Sequence, residues 1–265
     1  MKFKLKQQKF QELLEKLIVK DIFPSCVFAV KEGKLFSNQK EEHGRALRYV
    51  SFQKTYFEEI DDSNESIEID IDRTLNVVKN IPSNTSLVVE TVGNKLSISR
   101  LILDKDGKEI GQKGFTRISY KEPDGEVKDG MPFEMKDKKI PLVGDAKLPL
   151  EIVLNIDLAD FKSLSNFASS LKTEFYKFNI KEDKLSVRVG DLHDFSDYDT
   201  EYPECEIKKG KSLEVTLSYG LSSVADTFRE KHVNIKTNNN APAWISEKGE
   251  GYIIGVLIPP YVESE

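Results

Sequence analysis

The chain is poor in the residues that usually carry chemistry. Its two cysteines, Cys26 and Cys205, are too few and too isolated for a disulfide framework or a structural zinc site. They read as plain thiols of a reducing cytosol. The three histidines, His43, His193 and His232, fall in three separate segments. No Gly-x-Ser-x-Gly elbow, phosphate-cradling glycine loop or His-Glu-x-x-His helix occurs, which removes the common sequence routes to a catalytic site. Long apolar runs are missing too, the stretch 252–260 falling well short of a membrane span. The opening residues, Met1 to Lys6, alternate like a strand and lead into no secretion segment. These absences predict a soluble, non-enzymatic protein with no cofactor and no membrane partner. The expected compartment is the cytoplasm, or the nucleus in a eukaryote and the host cell for a viral chain.

One cluster stands apart from this pattern. Asp191, His193, Asp194, Asp197 and Asp199 offer oxygen and imidazole ligands for a divalent ion. The spacing is not that of a calcium loop, and acids alternating beside Phe195, Tyr198 and Tyr202 read as a solvated strand face.

What the chain does have is an internal repeat. Four turns, Lys31-Glu32-Gly33-Lys34, Val92-Gly93-Asn94-Lys95, Lys181-Glu182-Asp183-Lys184 and Lys248-Gly249-Glu250-Gly251, each sit between short apolar runs. Each follows an amphipathic helical pattern, opening near Gln7, Ile71, Leu158 and Tyr219, by 21 to 29 residues. Turns one and three lie 150 residues apart, and turns two and four 156. A unit is duplicated within a domain, and the domain is duplicated again.

Periodicity places the elements. Helix one (7–20) carries Phe10, Leu13, Leu14, Leu17 and Ile18 on one stripe. Helix two (71–80) uses Ile71, Leu75 and Val78, with Asp70 or Asp72 as its cap. Helix three (158–172) uses Phe161, Leu164, Ala168 and Leu171, capped by Asp157, and helix four (219–231) uses Leu221, Val224, Ala225 and Phe228. Residues 121–147 change character, with turn-forming prolines and glycines, dense mixed charge and no clean period. They read as a linker between domains at 1–120 and 148–265. Its isolated Met131, Phe133, Met135, Ile140 and Leu142 either pack on a neighbouring sheet or serve a function.

Net charge is −6, which taken alone argues against a nucleic-acid partner. Its distribution argues otherwise. The stretches 6–20, 71–80, 158–172 and 219–232 hold 10 basic and 6 acidic residues, a net +4, and the rest of the chain carries −10. The basic set is Lys9, Lys16, Lys20, Arg73, Lys79, Lys162, Lys172, Arg229 and Lys231. Each is also compatible with an ordinary solvated helix face, and Glu12, Glu15, Asp226 and Glu230 dilute the group. Dispersed contacts of this kind would give weak, salt-sensitive, sequence-independent attachment to phosphates. Without interleaved aromatic platforms, single-strand binding is disfavoured.

In this arrangement the chain resembles the sliding DNA clamps of the PCNA family. Gly33-Lys34-Leu35-Phe36-Ser37-Asn38, then Glu41-Glu42-His43, then Phe57-Glu58-Glu59 resembles that family's first-domain signature. Lys40 replaces its aspartate and Gly44 its hydrophobic residue, with one extra residue before Phe57. Ile140-Pro141 is similar to the connecting loop's Ile-Pro, and Leu257-Ile258-Pro259-Pro260-Tyr261 to the terminal Leu-Ala-Pro-x-Ile before an acidic tail.

The resemblance implies an α+β clamp fold, two similar domains each of two βαβββ units, with helices lining the hole of a three-subunit ring and sheets outside. It implies edge strands 113–119 and 193–202 at the subunit interface, with Phe115, Arg117, Ile118, Phe195 and Tyr198 there. It also implies a peptide pocket of His43, Gly44, Ala46, Ile140, Leu142, Val256, Ile258 and Pro259. Strand core is the competing assignment for Val256 and Ile258, since alternation buries one strand face. The partners implied are duplex DNA, a DNA polymerase, a clamp loader and further copies of the chain. Three alternatives stand beside this reading: a specialised checkpoint-type or viral clamp subunit, an adaptor that never encloses DNA, and an enzyme built on the Asp191–Asp199 cluster.

Overall fold

A computed structural model describes residues 1–19, 22–23, 25–43, 46–131, 133–136, 140–144, 147–173, 175–182, 184–190, 198–202, 212–217 and 220–261, with residues 115, 140, 198 and 199 described by backbone alone. The first half runs β1 (Lys2–Lys6), α1 (Gln7–Leu17), β2 (Ser25–Lys31), β3 (Lys34–Lys40), β4 (Leu47–Phe52), β5 (Glu59–Ile60), β6 (Ser66–Asp70), α2 (Ile71–Lys79), β7 (Ser86–Val92), β8 (Lys95–Leu103) and β9 (Glu109–Ser119). The connecting segment forms β10 (Glu134–Lys136) and β11 (Ile140–Val143), and β12 (Leu148–Pro149) follows it. The second half runs β13 (Ile152–Asp157), α3 (Leu158–Leu171), β14 (Tyr176–Lys181), β15 (Lys184–Val189), β16 (Tyr198–Tyr202), β17 (Leu213–Leu217), α4 (Leu221–Thr227), β18 (His232–Thr237), β19 (Ala243–Gly249) and β20 (Tyr252–Ile258).

All four expected hairpins form, as β2–β3, β7–β8, β14–β15 and β19–β20. In the first, Glu32 and Gly33 both take positive φ, the backbone that lets a two-residue turn follow the strand twist. The helix stripes also fold as the periodicity requires. Phe10, Leu13, Leu14 and Leu17 of α1, with Phe161, Leu164 and Ala168 of α3, are buried in one apolar core shared by both halves. Leu171 departs from its stripe and is exposed at the end of α3. Asp70 accepts from the Arg73 N–H at 2.9 Å and Asp157 from the Ala159 N–H at 2.9 Å, capping α2 and α3.

The halves are joined through a single eight-stranded sheet, β13-β18-β19-β20-β4-β3-β2-β6. Its central seam is the antiparallel pair β4–β20, from Tyr252↔Phe52 to Leu257↔Leu47. One face of this sheet meets the helices, with α1 against α2 and α3 against α4. The small sheet β10-β11-β12 and a second apolar cluster around Tyr49, Val143, Trp244 and Leu257 lie at the other face. Two further sheets, β5-β1-β7-β8-β9 and β16-β15-β14-β17, leave β9 and β16 as edge strands, one in each half. The far edge of the latter is met by the chain end, where Leu217 bridges Pro260 and the Tyr261 N–H donates to the Thr216 carbonyl at 2.8 Å.

Two expectations fail on tertiary grounds. Helix four, expected to reach residue 231, stops at Thr227, and β18, which periodicity does not reveal, begins at His232. The Thr227 hydroxyl donates back to the Val224 carbonyl at 2.7 Å, and the N–H groups of Arg229 and Glu230 turn away to a carboxylate of β19. Helix one, expected to reach residue 20, ends at Leu17, whose carbonyl accepts from the Arg48 guanidinium. The connecting segment holds two short strands, β10 and β11, and one of its isolated apolar residues packs on the neighbouring sheet, Phe133 lying edge-on against Trp244 with centroids 4.9 Å apart.

The β19 carboxylate belongs to Glu247, fully buried where α1 meets β19 and β20. One oxygen accepts from the Lys16 ammonium at 2.9 Å and lies 2.9 Å from the Tyr252 hydroxyl; the other takes the Arg229 and Glu230 N–H groups. The Lys16 ammonium also donates to the Tyr252 hydroxyl at 2.7 Å. Removing one member of a dry ion pair strands the other charge and costs about 3–5 kcal/mol. Lys16→Met and Glu247→Gln are therefore each expected to lower the unfolding free energy read from urea denaturation by that order. The double substitution should cost less than the two singles summed; strict additivity would show that the pair is not coupled.

Candidate functional surfaces

The exposed side of the helix layer is the first surface. The four helices converge on a groove of about 400 Å³. Lys79 of α2, Lys162 of α3 and Arg229 after α4 line it together, with Glu15 and Asp226 the acids among them. The Lys162 ammonium donates to the Phe228 carbonyl at 3.2 Å and the Arg229 guanidinium to the same oxygen at 2.9 Å. Two cations are thus fastened to one backbone oxygen at the end of α4. That arrangement can hold a phosphate by charge, and the two carboxylates keep it weak.

The other basic candidates are scattered. Lys9 is exposed on α1, its ammonium 5.1 Å from the centroid of the Tyr56 ring. Arg73 is exposed in the first turn of α2, and Lys172 ends α3 in a left-handed conformation, φ 55°. Lys231 is exposed in the turn before β18, so neither it nor Arg229 is helical. Lys20 lies outside the described residues. Lys16 must be withdrawn: it is 0 % exposed, bonded to Glu247 and Tyr252, and its ammonium sits 4.0 Å from the Tyr252 ring centroid. Helical spacing alone could not reveal this, because the partner carboxylate is 231 residues away.

Two further buried polar groups stand near that pair. Tyr252 also lies 2.7 Å from Glu230, and burial together with the two carboxylates pushes its phenol well above the ordinary tyrosine range. Arg48 of β4 is fully buried, donating to Leu17, Gln39, Ser37 and the Cys26 thiol, with Phe23 stacked 4.6 Å away. Burial lowers its pKa and raises that of Cys26. Cys26 is a dry packing residue with little thiolate character.

The expected peptide pocket does not assemble as drawn. Ala46, Val256 and Ile258 are 2 %, 0 % and 0 % exposed and point into the core shared with the helices. Strand alternation decides this: Tyr252, Ile254, Val256 and Ile258 share the inward face of β20. His43 is exposed in the turn between β3 and β4, its N–H donating to Glu41 at 3.0 Å, and Pro259 is exposed beyond β20. Leu142 is half-buried on β11, Ile140 is placed by backbone only, and Gly44 lies outside the described residues.

The outward face of the same strands carries a different groove, of about 320 Å³, between the connecting segment and β13, β18, β19 and β20. Its apolar wall is Met131, Phe133, Met135, Trp244 and Ile253; its polar side includes His232, Lys236 and Lys248. The indole of Trp244 lies across Gly255 on β20, where an added Cβ would come within 2.1 Å of the ring. The groove therefore depends on glycine at 255. Sequence reasoning missed Trp244, although the chain's single tryptophan on a strand two residues from a proline was a visible signal.

At the expected edges, Arg117 is exposed on β9, while Ile118 is 2 % exposed and faces its own core rather than a neighbour. Phe115 and Tyr198 are placed on β9 and β16 by backbone, and Phe195 lies outside the described residues. Most of the acidic run, Asp191 to Asp197, is likewise outside them. Among the described residues no group of three or more His, Cys, Asp or Glu side chains could hold a metal, and no helix is long and apolar enough to cross a membrane.

No family model and no curated protein matches the sequence. Solved structures do match. A Proliferating Cellular Nuclear Antigen from Entamoeba histolytica superposes with a TM-score of 0.76 at 12% identity, over 98% of both chains. The A. fulgidus PCNA bound by the C-terminal region of FEN-1 gives 0.73 at 15% identity over 100% of this chain and 99% of that one. A chain of the PCNA2–PCNA3 complex from Sulfolobus tokodaii gives 0.73 at 13%, over 99% and 100%. At these identities the likeness is one of architecture, and it spans the whole molecule: the chain has the α+β fold of the PCNA sliding clamps.

Proposed function

We propose that the chain is one subunit of a ring of three that encircles duplex DNA and tethers a DNA polymerase and other replication or repair factors to it. The observation that carries this is the full-length likeness to PCNA in a chain where Lys79, Lys162 and Arg229 line one groove beside the helices. The division into domains 1–120 and 148–265 with a connecting loop at 121–147 is part of the reading. Encirclement makes retention topological, so the phosphate contacts need only be weak, and weak contacts permit sliding. The task is tethering rather than catalysis, in whichever of cytoplasm or nucleus the DNA is copied.

Ring closure would set β9 of one subunit beside β16 of the next, satisfying two sheet edges at once. Lys113 and Arg117 on β9 are exposed, and β16 contributes Asp199 and Glu201 in sequence, so the edges are complementary in charge. The PCNA2–PCNA3 complex of Sulfolobus tokodaii supports association between like subunits. Light scattering is expected to give three times the subunit mass; a stable monomer, alone and with cellular partners, would overturn the ring.

For the DNA contact, Lys79→Glu, Lys162→Glu and Arg229→Glu together should shorten retention on nicked circular DNA. They should also flatten its salt dependence by about 0.9 in log–log slope for each phosphate no longer neutralised. Unchanged retention would remove the groove from the DNA path.

Partner proteins, including polymerase and clamp loader, would dock a short segment under the connecting loop, against Phe133, Met131 and Met135, with the buried Trp244 beneath them. The FEN-1 segment bound to the A. fulgidus PCNA supports docking of this kind. Because Trp244 is the only tryptophan, its emission should report binding of a polymerase C-terminal peptide directly. Gly255→Ala, which displaces the indole, should weaken that peptide without unfolding the protein; equal affinity would sink the location.

A further inference from the structure

The two cations tethered at the end of α4 owe their position to a residue on the far side of the backbone. Lys162 and Arg229 both donate to the Phe228 carbonyl, at 3.2 and 2.9 Å, and the Arg229 guanidinium donates to the Asp226 carbonyl as well. The same peptide unit carries the Arg229 N–H, which donates to the buried Glu247 carboxylate. A trans peptide points its N–H and its C=O in opposite directions, and this unit is trans. Holding the N–H inward therefore turns the Phe228 carbonyl out towards the groove. The same carboxylate oxygen takes the Glu230 N–H at 2.6 Å, which fixes the next peptide unit too. A core carboxylate thus sets where two surface cations stand. Both are fastened through carbonyl oxygens rather than carboxylates, so each keeps its full charge. Two like charges sharing one neutral oxygen repel, and an anion that reaches both relieves the repulsion. The competing use of such side chains is to cap the last carbonyls of a helix, which would serve α4 alone.

We propose that Lys162 and Arg229 form a single site for one phosphate group of duplex DNA, and that Glu247 is its positioning residue. The proposal rests on the reading that DNA passes this groove, and adds which two cations act together and what sets them. Lys79 lines the same groove from α2 and is the independent control.

The test measures the anisotropy of a short fluorescein-labelled DNA duplex at low salt, which needs the groove but not a closed ring. Lys16→Met/Glu247→Met removes the buried pair and with it the acceptor for both N–H groups, whereas Lys16→Met/Glu247→Gln keeps an acceptor oxygen. The first variant is expected to bind about ten-fold more weakly and to lose about 0.9 of log–log salt slope, one phosphate's worth, and the second to recover both. In the first background Arg229→Ala should cost less than about two-fold more, while Lys79→Ala costs as much as in the unaltered chain. Undiminished affinity in the first variant, equal loss in the two, or full additivity with Arg229→Ala would overturn the positioning role. Should the first variant not fold, Lys162→Ala and Arg229→Ala are combined in the unaltered chain. A double no weaker than the worse single supports one shared site, and additivity overturns it. An unaltered chain that ignores the duplex, or binds it equally well with Lys162→Glu, would overturn this site and the DNA groove together. Binding that follows these variants without retention on nicked circular DNA would support the site and overturn only the ring. Sodium phosphate displacing the duplex better than sodium chloride at matched ionic strength would assign the site to free phosphate and overturn the duplex assignment.

Discussion

The Glu247 carboxylate is the point on which the two halves of the molecule agree. Four donors converge on it: the Lys16 ammonium from the first half, and the Tyr252 hydroxyl and two backbone N–H groups from the second. A charge this deep is tolerated only when its hydrogen-bonding capacity is filled, so every donor must be in place at once. That requirement fixes α1 against β19 and β20, ends α4 on time, and does so beside the β4–β20 seam that makes one sheet of two. Arg48 works next to it, closing α1 by taking the Leu17 carbonyl. Helix pairs from separate halves can then share one surface.

The two faces of the common sheet differ in kind. Towards the helices its charges are these buried, hydrogen-bonded ones in a largely apolar face, and it serves stability. Away from them it is incompletely covered. The connecting segment lays Phe133 on Trp244 but leaves Met131 and Met135 exposed at 36% and 38%, and the indole rests on a glycine rather than between side chains. An aromatic shelf with flexible thioethers around it can adapt to more than one apolar occupant. The helix groove, by contrast, has cations tethered to backbone oxygen and diluted by acids, a geometry for holding without gripping.

Much of the fold was legible because it is written in short-range terms. Alternation and 3.6-residue stripes placed the hairpins and two of the four helices closely, and the start of a third. Asp70 and Asp157 announced the caps that the structure uses. What failed was non-local. Lys16 has the spacing of a solvated helix residue, and only a carboxylate brought in by β19 makes it a core residue. Val256 and Ile258 were apolar on a strand with apolar residues on both faces, so composition could not say which face looked outward. The end of α4 and the existence of β18 depended on where backbone N–H groups found an acceptor.

The sequence by itself therefore determined the repeat, the helix–hairpin order and the amphipathic helices, since each is a property of neighbours in the chain; the expected positive excess does not survive, because the helices as they fold hold Lys9, Lys16, Arg73, Lys79 and Lys162 against Glu12, Glu15, Asp72, Asp160 and Asp226. The tertiary structure alone decided which lysines reach solvent, which face of β20 turns away from the helices, and that Trp244 lines the outer groove. The reason is the same in each case. Burial and hydrogen-bond satisfaction are settled by groups far apart in sequence, and a one-residue change of facing moves a side chain from core to surface.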